Sequence, residues 1–228
     1  MNKKISYIKK ENRKKILLLC DDIRMHSGIA TMAREIVIGT AHHYNWVNLG
    51  AAINHPEKGK TLDLSADINK QKGIDDASVL VIPNNGYGDA QMVRALLFNH
   101  KPDAVFIFTD PRYWIWLFEM EREIRSKIPI VWLNIWDDYP APIYNKNYYN
   151  SVDTLMGISK QTVNINKIVL GDDAEDKIID YVPHGIDPKT FFPILPDHEK
   201  YNDFLNFKKD LFNNRDINFT VFFNSRNI

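Results

Sequence analysis

Short apolar runs alternate with longer amphipathic stretches along most of this chain. Lys15–Cys20 is a continuous apolar run of the kind that forms a central parallel strand. A polar stretch, Asp21–Gly28, follows it. Ile29–Thr40 then sets Ile29, Met32, Ala33, Ile36 and Val37 on one helical face. The same alternation predicts strands at Asn45–Leu49, Ser78–Ile82, Ala104–Thr109, Pro129–Leu133, Val152–Gly157 and Lys177–Val182. Helices are predicted at Ala90–Asn99 with Asp89 as cap, and from Asp110-Pro111 to about Arg125. Another runs from Ser159 to about Leu170. Ala51–Lys72 reads as an irregular loop with one extended piece near Thr61–Leu64.

Strands and helices in this order predict an α/β fold: a Rossmann-like, doubly wound, mostly parallel sheet with helices over both faces. Ligands of such sheets bind at the carboxyl ends of the strands. The loops Asp21–Gly28, Asn84–Gly88, Asp110–Trp114 and Asn134–Pro142 all follow strands, so they are expected along one edge. After Pro193 the pattern changes. Asp197–Asn213 predicts one helix with Tyr201, Phe204, Leu205, Phe207 and Leu211 apolar, and Ile217–Phe223 reads as a strand.

Composition narrows the function classes. The 228 residues are 44% hydrophobic and 25% charged, ordinary for a globular protein, and the formal net charge is zero. No basic stripe interleaves with aromatics, so nucleic-acid binding is not expected. Cys20 is the single cysteine, which excludes an intrachain disulfide and suits a cytoplasmic setting. No apolar run approaches the roughly 20 residues that span a bilayer. The lysine-rich start, with Lys3, Lys4, Lys9, Lys10, Lys14 and Lys15, reads as a solvated leader or as a contact for a membrane surface.

Candidate chemistry sits in the loops. Ser27-Gly28 opens a helix, whose free amides suit an anion; equally, the glycine eases a turn. Gly-x-Gly-x-x-Gly is absent, which argues against a nicotinamide cofactor. Asp137 or Asp138 could orient or deprotonate a hydroxyl; equally, both read as solvated or capping groups of the loop. Tyr113, Trp114, Trp136 and Tyr139 suit stacking on a sugar ring or plain packing. Asp110 reads as a helix cap. Arg24 and Arg112 suit an anionic ligand or a solvated surface. His42-His43 reads as a solvated helix end, and no metal-ligand cluster is legible.

Tyr181–Pro193 carries the more specific signal. It holds Pro183-His184-Gly185-Ile186-Asp187, then Phe192-Pro193, after a short strand. Gly185 there allows a positive φ or a close backbone approach. With the Ser-Gly loop and the strand that closes on Ser159, this order resembles the GT-B-fold retaining glycosyltransferases of family 4. The resemblance covers most of Lys15–Ile228. It implies an acceptor domain, residues 15–195, after a basic leader, 1–14. Residues 196–228 would be a linker helix and the first strand of a donor-binding domain. It implies transfer of a hexose from a nucleotide sugar to an acceptor hydroxyl, with retention and without a cofactor or required metal. Ser27, Gly28 and Arg226 would meet the donor. Arg24, Asp110, Arg112, Tyr113, Trp136, Tyr139 and His184 would face the acceptor, with Asp137 or Asp138 catalytic. Two departures stand out. Trp136-Asp137-Asp138 occupies the loop where family members often carry a histidine. The lysine and paired glutamates of the family's donor half are absent from these residues. A non-catalytic carbohydrate- or acceptor-binding module, or an inactive fragment, fits the same sequence, as does a generic nucleotide-binding domain.

Overall fold

The computed structural model describes residues 7–51 and 54–221. The chain divides into two compact units, Met1–His184 and Gly185–Ile228.

The first unit is built on strands β1 (Lys14–Asp21), β2 (Tyr44–Ala51), β3 (Leu62–Asp63), β4 (Val79–Pro83), β5 (Ala104–Ile107), β6 (Ile130–Asn134), β7 (Thr154–Gly157) and β8 (Ile178–Tyr181). Their order across the sheet is β3-β4-β2-β1-β5-β6-β7-β8. Every pairing is parallel except β3 with β4. This is the Rossmann-like α/β sheet the pattern predicts. In β1 the pleat sends Leu17 and Leu19 to one core and Leu18 and Cys20 to the other, all buried.

Helices α1 (Gly28–Thr40) and α2 (Ser65–Lys72) cover one face through Ala33, Val37 and Ile68. The other face carries α3 (Ala90–His100), α4 (Ile115–Glu119), α5 (Glu121–Arg125) and α7 (Lys160–Leu170), with the short α6 (Lys146–Asn150) beside them. The caps expected at Asp89, Asp110 and Ser159 are formed, and Ser27 is a further one. Ser27, Asp89, Asp110 and Ser159 each accept a backbone N–H, from Ala30, Met92, Arg112 and Thr162 respectively.

Several expectations need correction. Ala51–Lys72 is not all loop, since α2 lies within it. Only Ile68 of that helix is buried, so it has no apolar stripe to announce it, although Gly73 ends it with φ 73°. The helix expected from Asp110 to Arg125 is a 3-10 turn, Pro111–Trp114, then α4 and α5. Met120, at φ −98° and ψ 12°, breaks the run while staying buried. The leader is not wholly solvated. Arg13 is buried and donates to Asp76 through both its side-chain carboxylate and its backbone carbonyl. His42 is buried too, rather than a solvated helix end.

Cover over the α1 face is incomplete. Phe106, Val131, Met156 and Val182 stay half-buried around an open apolar trough of about 700 Å³. Parallel sheets normally have both faces covered, so this trough is an exposed core surface.

In the second unit, α8 (Tyr201–Leu211) matches the predicted helix, with Phe204, Phe207 and Leu211 exposed. Asp187 fixes the turn after Gly185: Oδ1 accepts the Lys189 N–H at 2.9 Å and Oδ2 the Thr190 hydroxyl at 2.9 Å. Gly185 itself has no positive φ. Residues 217–221 form no strand, and the rest of the strand expected at Ile217–Phe223 lies outside the described residues.

Candidate functional site

With all strands but β3 parallel, the loops after β1, β2, β4, β5, β6, β7 and β8 share the carboxyl edge of the sheet. β1, β5 and β6 are neighbours in the sheet. Their loops carry Arg24 and Ser27, Asp110 to Trp114, and Trp136 to Tyr139.

The β1 loop is held by two buried carboxylates. Asp21 accepts the Ser27 hydroxyl at 2.7 Å, and Ser27 Oγ in turn accepts the Ala30 N–H at 3.0 Å. Ser27 therefore caps α1 while anchored to the end of β1. Asp22, 1% exposed, takes a two-pronged pair from Arg24, at 2.9 Å from Nε and 2.7 Å from the terminal nitrogen. Glu57 accepts from the other Arg24 nitrogen at 3.0 Å. The bonds to Asp22 raise the Arg24 pKa above its usual value, and those to Glu57 add to this against the opposing effect of burial. Gly50 makes room for this arrangement, because a Cβ there would stand 2.9 Å from the Asp22 side chain. Gly28 is different. Nothing lies within 4 Å of where its Cβ would stand, so the first turn of α1 is open.

The loops of β4 and β5 meet over β1. Tyr87 stacks on Tyr113 with ring centroids 4.2 Å apart and planes 10° apart. Tyr87 also sets its ring at 78° to Trp114, centroid to centroid 5.6 Å. Burial pushes the Tyr87 phenol up to about 12, and the charges of Asp21 and Asp110 add to the effect. The Tyr87 hydroxyl thus stays protonated at any physiological pH. Arg112 folds back on Asp110, at 3.0 Å from Nε and 2.7 Å from the terminal nitrogen. Burial would raise the Asp110 pKa; the Arg112 bonds outweigh it and hold the carboxyl below its usual value.

The β6 loop hangs from a buried amide network. Asn134 accepts the Trp136 N–H at 3.1 Å and donates to the Tyr149 hydroxyl at 2.9 Å and to Asn166 Oδ1 at 2.6 Å. Beyond it Asp137 and Asp138 are exposed. Asp138 Oδ1 accepts the Tyr139 N–H at 2.8 Å, and the Asp137 carbonyl accepts from Gln161 at 2.8 Å. The Tyr139 hydroxyl accepts from Asn164 at 3.2 Å.

The fold is similar to that of Anabaena HepE, solved in complex with UDP and glucose. The TM-score is 0.53 and the identity 12%, over 89% of this chain and 51% of that one. The chain therefore spans about half the length of that structure's chain. At this identity the likeness shows the fold. No family model matches the chain, and no curated protein does.

The predicted site residues fall into three groups. Arg24, Ser27, Gly28, Asp110, Arg112 and Tyr113 lie on adjoining loops at the carboxyl edge, as do Trp136, Asp137, Asp138 and Tyr139 one strand further on. His184 follows β8, its ring edge-on to Phe108 at 5.8 Å and its pKa lowered by burial. Arg226 lies outside the described residues. Trp114 cannot stack on a ligand, because it is 0% exposed. Sequence reasoning missed Asp22, Glu57, Asn134 and Tyr87. Only Tyr87 carried a signal, standing between Gly86 and Gly88. Among the described residues no group of three or more His, Cys, Asp or Glu is placed to hold a metal ion, and no helix is long and apolar enough to cross a membrane.

Proposed function

We propose that this chain forms the acceptor side of a glycosyltransferase that moves a hexose from a nucleotide sugar to an acceptor hydroxyl, with retention. One observation carries the reading. The carboxyl edge of a Rossmann-like sheet gathers an open, Ser27-capped helix start, a braced arginine and an exposed tyrosine on adjoining loops. The likeness in fold to HepE, solved with UDP and glucose, supports it.

In this reading the α1 amides around Gly28 and the Arg24 guanidinium stabilise charge that builds on the departing diphosphate. The planar fork of Arg226, in the second unit, suits a diphosphate. Tyr113, Trp136 and Tyr139 hold the acceptor sugar, helped by Arg112, Asp110 and His184. Asp137 or Asp138 accepts the proton of the attacking hydroxyl. Neither a cofactor nor a metal is required, and the setting is cytoplasmic.

A second reading, a carbohydrate-binding module without turnover, is favoured by the exposure of Asp137 and Asp138 and by the local bond that occupies Asp138. Transfer assays with a panel of nucleotide sugars separate the two. The 228 residues alone should bind saccharide and transfer nothing. A protein that includes a donor half should transfer, and Asp137→Asn or Asp138→Asn should cost about 10²- to 10⁴-fold in turnover. Turnover by the 228 residues, or transfer untouched by either substitution, overturns these assignments. Absence of saccharide binding overturns the reading itself.

A further inference from the structure

We propose that Tyr113, backed by Tyr87, is a ring-stacking platform for the apolar face of a β-glucopyranoside, with Tyr87 as its positioning residue. This rests on the acceptor-side reading above and adds to it a residue and a substrate class.

Tyr113 is 47% exposed, yet one of its faces lies flat against Tyr87 at 4.2 Å. The other face is therefore what it presents to solvent. Tyr87 is in turn fixed from behind, edge-on to the fully buried Trp114. Three rings from the loops of two strands form a graded stack: Trp114 in the core, Tyr87 between, Tyr113 outermost. A lone exposed tyrosine would keep its side-chain freedom and lose it on binding. This one has lost it already, so the platform is pre-organised.

Backbone geometry sets the middle ring. Gly86 has φ 68° and Gly88 φ 82°, so Tyr87 projects from a turn that side-chain-bearing residues rarely adopt. The 3-10 turn Pro111–Trp114, capped by Asp110, sets the outer one.

The rim of the platform selects a sugar. Asp110 and Arg112, three residues and one residue before Tyr113 in the chain, are paired with each other through both carboxylate oxygens, and a sugar hydroxyl would share in that pair. Vicinal hydroxyls both give and take hydrogen bonds, so they match such a pair. A β-glucopyranoside carries three axial C–H groups, H1, H3 and H5, on one face, an apolar patch suited to the negative face of an aromatic ring.

Methyl β-glucoside is the probe, titrated into the 228-residue chain and followed by saturation-transfer NMR and by calorimetry. Signal should concentrate on the H1, H3 and H5 protons. Tyr113→Ala should abolish it. Tyr87→Ala should weaken binding about 3- to 10-fold, and Tyr87→Phe, which keeps the stack, should restore most of that loss. If Tyr87→Ala does not fold, Tyr87→Leu fills the space without the stack and should show the same weakening. Wild-type affinity in Tyr87→Ala or Tyr87→Leu, with Tyr113→Ala inactive, overturns the role of Tyr87 and leaves the acceptor-side reading standing. Transfer spread evenly over the sugar protons, or displacement of the glucoside by uridine, overturns the platform. No binding of the glucoside or of other hexosides by the wild-type chain overturns both.

Discussion

The Asn134 side chain donates to Oδ1 of Asn166 at 2.6 Å, joining the last residue of β6 to the middle of α7 inside the core. Asn134 is 2% exposed and Asn166 0%. The same Asn134 amide holds the Trp136 backbone and the Tyr149 hydroxyl, so one side chain seats the start of the loop that carries Asp137 and Asp138.

Asn134→Ala would leave the Tyr149 hydroxyl and Asn166 Oδ1 without this donor in a buried setting. The expected loss of folding stability is about 1–3 kcal/mol, read as a lower urea midpoint with unchanged m. Asn134→Asp should cost more, because it also buries a carboxylate facing the Asn166 Oδ1 acceptor. A midpoint equal to wild type in both variants contradicts the network.

Gly28 and Gly50 should respond in opposite ways to alanine. At Gly28 the space is open and the residue opens a helix, so Gly28→Ala should leave the melting temperature unchanged or slightly raised. If a diphosphate approaches this turn, the same change should weaken UDP binding. Gly50→Ala meets Asp22 at 2.9 Å and should destabilise by about 1–3 kcal/mol while disturbing Arg24. Thermal melts and UDP titration of both variants check the pair. Equal effects on stability would show that the crowding at Gly50 is absorbed.

Stability should fall as the solution is acidified below about pH 6.5. Burial lowers the His42 pKa from 6.5, with Lys72, His43 and Arg13 adding to the effect. A histidine with a lowered folded pKa takes up its proton first in the unfolded chain. The folded state is thus fully favoured above the unfolded pKa and loses ground as pH drops towards the folded one. His100 and His184, both lowered by burial, act in the same direction. Urea unfolding at pH 7.5 and 5.5 should show the loss, and His42→Leu should shrink it. A pH dependence unchanged in His42→Leu contradicts the assignment.

Arg13 precedes β1, and its guanidinium is wholly buried against Asp76 and the Ile8 carbonyl. Arg13→Ala should cost about 1.5–3 kcal/mol, since Asp76 loses its charged donor. Lys9→Ala, at an exposed position of the same segment, should stay within about 0.5 kcal/mol. Chemical denaturation of the two side by side gives the comparison, and near-equal midpoints would mean that the segment contributes nothing through Arg13.

The order of strands and helices was legible in the chain because each strand is a short buried run and most helices have an apolar stripe and a cap. Asp89, Asp110 and Ser159 announced their helices from residue type and position alone, since a cap is a bond within three residues. What was not local was not legible. α2 buries one residue and showed no stripe. Trp114 and Tyr113 are adjacent aromatics with nothing in the sequence to separate them, yet one lies in the core and the other faces out, because the 3-10 turn points them in different directions. Tyr87 meets Tyr113 only because β4 and β5 run parallel, with β2 and β1 between them, and send their loops over the same edge. The burial of Asp22 beside Gly50 and the bond from Asn134 to Asn166 likewise join residues that are far apart in the chain. Local periodicity and short-range hydrogen bonds specified the elements; the burial and partners of the polar side chains between them came from the parallel packing of the sheet.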